Sequence, residues 1–367
     1  MSGRDVGPVE FTDSLILLHN EEVDVAVVDN AVYVDGRRAA APDTLGHTVE
    51  SLRSCSGDGP SFCWIGMLRP TAEEMAAVAK EFNLHKLAVE DAVDAHQRPK
   101  LERYGDTRFV VLRPVRYVDP VEVVELGELH LFLGPEFVIT VRHADEPDLA
   151  VVRQRMEEHP DLLRPGPDAV LYAAMDKVVD DYFPVLDGLQ NDIDEIETQV
   201  FTGDPEVSRR IYQLTREVIE FQRAVEPLRE ILDVIRSELR KQNGEHLELR
   251  RGFRDVRDHA VRVIERTDSF RQLLNNMLTA NATQIAQRQN EEITRLTEAT
   301  FQQSEQVKRI SSWAAVLFAP TLVGTVYGMN FTHMPELTWV YGYPLAVLLM
   351  ILTGLVLWAM FKRRGWL

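Results

Sequence analysis

Two uncharged C-terminal segments constrain this chain more than any other feature. From Ile310 to Tyr327, and again from Leu337 to Phe361, no side chain carries a formal charge. A bilayer-spanning helix needs roughly 20 mainly apolar residues, so both segments can cross a membrane. Lys308 and Arg309 precede the first, while Lys362, Arg363 and Arg364 follow the second. The positive-inside bias then places both flanks in the cytoplasm. The expected layout is a first span at 310–329, an outer loop at 330–339, a second span at 340–361 and a basic cytoplasmic tail at 362–367. The apolar run Leu15 to Leu18 is too short for a signal peptide and follows acids rather than a basic leader. Both termini are therefore expected inside an inner (plasma) membrane.

Charge is unevenly placed along the 367 residues. Residues 306–367 hold five Lys/Arg and one acid, Glu336, whereas residues 1–305 hold 35 basic against 57 acidic side chains. Such a soluble part attracts cations and repels nucleic acid and anionic lipid. Cys55 and Cys63 show neither metal-ligand spacing nor a secreted-domain pattern, which fits a reduced cytoplasmic domain. No HExxH, phosphate-cradling glycine loop or nucleophile elbow is present, so nothing supports catalysis. Of the ten histidines, His85, His96 and His259 are expected to be structural, and His333 belongs to the outer loop.

The N-terminal part has α+β character, a mixed sheet flanked by helices. Residues 1–13 are expected to be disordered, and residues 14–165 to form the cytoplasmic domain. Strands are expected at Val23 to Val28, Ala31 to Val34, Phe62 to Met67, Arg108 to Val118, Val121 to Leu133 and Phe137 to Arg142. Thr71 with Glu74 forms a capping box for a helix through Phe82, and another helix starts near His85. Residues 166–309 change to long polar helices. One is expected over Asp168 to Phe201 and another over Pro205 to Lys241, separated by Gly203-Asp204-Pro205. A third starts near His246, has Gly252 as its early weak point and meets no proline until Pro320. Continuous to Tyr327, it is about 120 Å long at 1.5 Å per residue, which requires packing on partners. It reads as a stalk feeding a pore.

Two spans cannot enclose a water-filled path alone, so the chain is expected to assemble into a homo-oligomeric ring in membrane lipid. Between Glu305 and Glu336 there is no acid. A small divalent cation gives up its waters reluctantly, and a ring of neutral Asn330 carboxamides can accept hydrogen bonds from those waters without trapping the ion. Gly328 permits close backbone approach, with Met329 and Tyr327 bracing the loop. Helical spacing back from this mouth puts Thr325, Thr321, Phe318, Ala314, Ile310 and Val307 on one stripe. Thr321 can form a second polar ring, and Phe318 and Ile310 apolar constrictions. The bland reading is that the stripe packs on the second span or faces lipid. Acids also concentrate between Asp168 and Glu197, nine against the single Lys177. Such a run is ordinarily a solvated helix face; its functional reading is a cation-attracting surface.

Tyr327-Gly328-Met329-Asn330-Phe331 stands in an ordered set with Pro320-Thr321-Leu322, Met334-Pro335-Glu336-Leu337, Gly342-Tyr343-Pro344 and Trp366-Leu367. This set resembles the CorA family of magnesium transporters. Leu87 to Asp91, Ala95 to Glu102, Val179 to Phe183 and Arg254 to His259 are similar to the family's cytoplasmic domain, so the resemblance covers nearly all of the chain beyond about residue 60. It implies a homopentamer whose first span, 310–329, lines the pore, and which transports magnesium and is gated by it. Carboxylates matching Asp91 and Asp255 would face each other across a subunit boundary and be bridged by regulatory magnesium, with Glu90 and Asp181 completing a second position. An amide ring accepts any hydrated divalent cation, so a zinc or cobalt/nickel transporter of the same superfamily fits the same residues. A membrane-anchored coiled-coil signalling protein fits the spans alone.

The stalk departs from the family pattern. An Asn-Glu-like pair expected once occurs at two spacings, as Asn290-Glu291 and as Ser304-Glu305, an apparent insertion of about 14 residues or four coiled-coil turns. Ser304, nearer the pore, is expected to form the inner polar ring.

Overall fold

The computed structural model describes residues 26–55, 59–144, 146–202, 204, 206–241, 247–331, 334–335 and 339–367. The expected disordered segment 1–13, the run Leu15 to Leu18, Val23, Gly203, Pro205, His246, His333, Glu336 and Leu337 lie outside the described residues. The chain separates into two units, Met1–Ala280 and Asn281–Leu367.

The first unit begins with β1 (Val27–Val34), β2 (Arg37–Ala40), α1 (Leu45–Cys55), β3 (Ser61–Leu68), α2 (Ala72–Phe82) and α3 (Lys86–Asp94). The strands continue with β4 (Lys100–Tyr104), β5 (Thr107–Leu112), β6 (Val115–Val118), β7 (Val123–Leu126), β8 (Leu129–Leu133) and β9 (Phe137–Arg142). Seven strands form one sheet in the order β2-β1-β3-β9-β8-β5-β4, and β6 pairs with β7 as a separate hairpin. Only β3 and β9 pair in parallel among the described strands. The expected mixed sheet is therefore present.

Alternate strand residues enter two cores, as the pleat requires. Phe62, Trp64, Val110, Leu112 and Leu131 join one core. Cys63, Ile65, Phe109, Val111 and Phe132 join the other, which α2 and α3 cover through Met75, Val78, Ala88 and Ala92. The predicted capping box holds: the Thr71 hydroxyl accepts from the Glu74 N–H at 3.2 Å, and the Glu74 carboxylate accepts from the Thr71 N–H at 2.6 Å. His85 caps α3 by accepting from the Leu87 N–H at 3.3 Å.

Several boundaries differ from expectation. The strands expected on either side of Asp29-Asn30 merge into β1, because Asn30 hands its side-chain N–H to the Thr48 hydroxyl on α1 rather than breaking the strand. Arg108 to Val118 is two strands, since Pro114 has no N–H for a ladder. Val121 to Leu133 divides at Gly127, whose N–H donates to the Pro114 carbonyl at 2.8 Å.

The helical part comprises α4 (Leu149–Glu158), α5 (Pro160–Leu163), α6 (Pro167–Asp180), α7 (Tyr182–Thr202), α8 (Val207–Val225) and α9 (Leu228–Lys241). Two helices expected to be single are each two. Pro184 cannot donate across Asp181, and Pro227 interrupts between α8 and α9. Tyr182 is buried and donates its hydroxyl to the Arg113 carbonyl at 2.7 Å while meeting Phe221 edge-on at 5.5 Å. One side chain thus fastens the helical layer to the sheet segment.

α10 (Leu247–Tyr327) is a single helix of 81 residues. Gly252 does not weaken it; a Cβ there would collide with the Tyr172 ring, so glycine lets α10 approach α6. Leu249, Phe253, Val256, Ala260, Val263, Phe270 and Leu274 bury one face of α10 in the first core, with α6 to α9. From Ile285 to Ser304 every side chain is exposed.

In the second unit, α10 packs on α11 (Gly342–Arg363). Trp313, Val316 and Pro320 share an apolar groove with Met350, Gly354 and Trp358. Gly324 and Gly354 permit the approach: a Cβ on the first would lie 3.1 Å from Met350 Cε, and one on the second 3.6 Å from Pro320 Cγ. Close helix contact through small residues is the usual solution where lipid supplies no hydrophobic drive. Lys362 lies over the Trp358 ring at 4.6 Å and Trp366 stacks on Phe361 at 5.6 Å, an amphipathic cluster suited to a membrane interface.

Candidate pore mouth and cation-binding carboxylates

α10 ends in a tight turn. The Gly328 N–H donates to the carbonyls of Gly324 at 3.0 Å and Thr325 at 3.2 Å, and the Met329 N–H to that of Val326 at 3.3 Å. A Cβ on Gly328 would sit 3.3 Å from the Gly324 oxygen, closer than ordinary contact. Tyr327 is half-buried and Met329 is 45% exposed, so backbone bonds rather than these side chains hold the turn. Asn330 follows outside the helix, exposed and with its carboxamide uncommitted among the described residues.

The Thr325 hydroxyl donates to the Thr321 carbonyl at 2.8 Å, and the Thr321 hydroxyl to the Phe318 carbonyl at 2.6 Å. Both hydroxyl hydrogens are spent on backbone, leaving the oxygens as acceptors. Waters around a cation point their hydrogens outward, so acceptors are what a hydrated ion needs. Ile310 and Phe318 are 69% and 71% exposed in the single chain, and Thr321 and Ser304 are exposed as well. The face packed on α11 carries Trp313, Val316 and Pro320 instead. The Phe318 stripe therefore does not pack on the second span within one chain, and its exposure fits a pore-facing and a lipid-facing position alike.

In the soluble unit, most expected sensor acids already have a basic neighbour. Asp91 accepts from Lys100 Nζ at 2.7 Å, and Lys100 also bridges Glu102 at 3.1 Å. Glu90 pairs with Lys86 at 3.4 Å and Asp181 with Lys177 at 2.5 Å. Asp255 differs: it is 69% exposed, and its one ionic neighbour among the described residues is His259 Nε2 at 3.9 Å. No hydrogen bond or ion pair joins Asp91 to Asp255 within the chain among the described residues.

Sequence reasoning missed the residues gathered around Asp255. His259 Nδ1 faces Asp180 at 3.6 Å, and Phe183 meets the imidazole edge-on at 5.6 Å. Burial pushes the Asp176 carboxyl above its ordinary value, and the Asp180 and Asp255 charges push it further. Asp176, Asp180 and Asp255 therefore stand close enough to share one negative field. The signal was available, because the spacing of Asp176 and Asp180 puts both on one helix face.

A second carboxylate cluster is closed to cations. Glu122, Asp192 and Glu195 bring oxygens within 4.8 Å of one another. Arg210 already fills the gap, at 2.8 Å from Glu122, 2.7 Å from Glu195 and 3.3 Å from Asp192. Tyr117 adds a hydroxyl hydrogen to Asp192.

Comparison with known proteins agrees with this architecture. Residues 59–363 match the family model described as CorA-like Mg2+ transporter protein. Bacillus subtilis YfjQ is 30% identical over 307 residues, covering 83% of this chain and 89% of that protein. The cobalt/magnesium transport protein CorA of Thermotoga maritima is 28% identical over 297 residues, 79% of each chain. The full-length CmaX protein superposes with a TM-score of 0.60 at 18% identity, covering 92% of this chain and 97% of its own. The soluble domain of CorA from Methanocaldococcus jannaschii gives 0.55 at 16% identity, covering 71% and 98%. These two likenesses show a shared fold. The chain, with two apolar C-terminal helices and a sheet-and-helix soluble part, belongs to the CorA-like Mg2+ transporter family.

Proposed function

We propose that this chain forms a homopentameric channel that carries hydrated magnesium into the cytoplasm across the plasma membrane, with both termini inside, and closes when cytoplasmic magnesium rises. The observation that carries the reading is the acid-free stretch of α10 after Glu305, with Ile310, Phe318 and Thr321 exposed, beyond which stands the Asn330 carboxamide, uncommitted among the described residues. Five such amides would accept hydrogen bonds from the waters of an ion that sheds them reluctantly. Thr321 would offer a second ring of acceptors, Phe318 and Ile310 apolar constrictions that gate by dewetting, and Ser304 an inner polar ring. The drive needs no ATP, since a divalent cation moving to a negative interior gains about 4.6 kcal/mol per 100 mV.

Closure would act through Asp255, Asp180 and Asp176 on one subunit and Asp91, with Glu90, on the next, while Asp181 stays near through Lys177. A bound divalent cation supplies positive charge between acids that otherwise repel. Lys100, at 2.7 Å from Asp91, competes for that carboxylate and tunes the response toward higher magnesium. Liposomes holding purified protein test the pore assignment. Asn330→Ala should lower magnesium uptake by at least about tenfold, the scale on which losing a positioned charge-assisted hydrogen bond acts, with the oligomer intact by gel filtration. Unchanged uptake at equal abundance refutes it. Competition by cobalt and zinc in the same vesicles separates a magnesium channel from the zinc or cobalt/nickel reading.

A further inference from the structure

The chain carries a net charge of −18, yet one cavity is built from arginine. It lies where the end of α9 meets the start of α10, has a volume of about 210 Å³, and is lined by Arg236, Arg240, Arg250, Arg251 and Arg254 over the apolar Leu239. Two of these guanidiniums have acidic neighbours, Arg236 with Asp233 at 3.6 Å and Arg251 with Glu248 at 2.6 Å. Arg240, Arg250 and Arg254 have neither an ion pair nor a hydrogen bond among the described residues.

The helix dipole accounts for only one of the three. Arg240 stands in the last turn of α9, where a cation is favoured, but Arg250 closes the first turn of α10, the positive end, where it is disfavoured, and Arg254 lies one turn further on, where the dipole offers it nothing. They are also four residues apart on one helix face, a repulsive spacing for like charges. Among the described residues only Asp233 and Glu248 offset this concentration of positive charge, through Arg236 and Arg251, and an anion would offset the rest. Arginine rather than lysine lines the cavity, and its planar fork binds two oxygens of one phosphate at a time. Several forks around one small space call for more oxygens than a single phosphate presents. The volume is below that of pockets that engulf drug-sized ligands, so it admits a diphosphate but not a buried nucleoside.

We propose that this cavity binds a diphosphate group, either as the free anion or as the end of a nucleotide whose base and sugar remain outside. The assignment is independent of the pore reading, because every lining residue belongs to the soluble unit.

The test uses the full chain in phosphatidylcholine nanodiscs, in magnesium-free buffer, titrated calorimetrically with sodium pyrophosphate, orthophosphate and sulfate. Expected are saturable pyrophosphate binding at one per chain, affinity at least tenfold above that for orthophosphate, and weakening as salt is raised. The double variant Arg250→Gln with Arg254→Gln should bind at least tenfold more weakly, and Arg250→Lys with Arg254→Lys should fall between. Gel filtration and circular dichroism check that each variant stays folded and assembled. If the glutamine pair misassembles, Arg240→Gln tests the same cavity from the α9 side. Absence of saturable pyrophosphate binding, or equal affinity in wild type and folded variants, overturns the proposal. So does binding confined to phosphatidylglycerol vesicles, which makes the patch a lipid contact. Loss of the oligomer in the glutamine pair, with no pyrophosphate binding by wild type, makes it a subunit contact and overturns it equally.

Discussion

Replacing Arg210 by alanine should turn a closed ion cluster into an open divalent cation site. Arg210 and Asp192 are 18% and 10% exposed, Glu122 is 32% exposed and Glu195 is 65% exposed. Breaking a buried pair by removing one partner costs about 3–5 kcal/mol. Glu195 stands mostly in water and Glu122 partly so, and screening reduces their share, leaving a loss of about 2–3 kcal/mol. For a unit of this size, Met1–Ala280, that lowers the Tm by about 3–5 °C. Removing the guanidinium leaves three carboxylates whose oxygens lie within 4.8 Å of one another. Such a trio, with Glu195 open to water, binds calcium or magnesium at the weak end of oxygen-ligand sites, with a Kd of about 1 mM. At about 10 mM metal the gain is then about 1.4 kcal/mol, roughly half of the loss. The assay is thermal unfolding of full-length wild type and variant, each with and without magnesium. Any shift that magnesium produces in wild type is subtracted, so the quantity read is the excess shift in the variant. A variant as stable as wild type, or an equal shift in both proteins, refutes the reasoning.

Asp91→Ala combined with Asp255→Ala should weaken magnesium's protection of the soluble part against limited proteolysis and keep uptake high at magnesium levels that close the wild type; an unchanged magnesium titration would remove both residues from the sensor. Deleting Glu291 to Ser304 places Asn290 before Glu305 and removes four coiled-coil turns, so assembly and gated uptake should persist, whereas a 12-residue deletion in the same stretch shifts the helix phase and should impair gating. Equal behaviour of the two deletions in liposome uptake would rule out the register argument. Asp176→Asn tests the raised carboxyl. A folded-state value above the unfolded one means that stability falls as pH rises from the ordinary Asp value of about 3.9 through the raised value. The amide should therefore be more stable than wild type at neutral pH without divalent ions, and the difference should vanish below about pH 4 in urea unfolding.

What the residues determine alone is local in origin. Leaving a charge or an unpaired backbone group in lipid is costly wherever the chain goes, so the two spans and their flanks are legible at Lys308-Arg309 and Lys362-Arg363-Arg364. Thr71 and Glu74 satisfy each other within one turn, so the start of α2 needs no tertiary context. Strands β1, β3, β5, β8 and β9 are legible because their apolar runs are local, whereas β2 and β4, polar edge strands, are set only by the neighbours they pair with. Splitting at Pro114, Pro184 and Pro227 was also within reach, since each lacks an N–H, but position along the ladder decides whether that breaks an element or is absorbed, as at Pro320 inside α10. Tertiary structure alone decided the rest. Whether the Phe318 stripe is free depends on which face of α10 the α11 helix covers, and an apolar segment has too little periodic contrast to say. Which acids remain available depends on partners that folding delivers: Lys100 reaches Asp91 only through the turn from α3 into β4, and Arg210 meets Glu122 across 88 residues of chain. Charge is written into the sequence, but the field at a site is a sum over distances, and only the fold sets those.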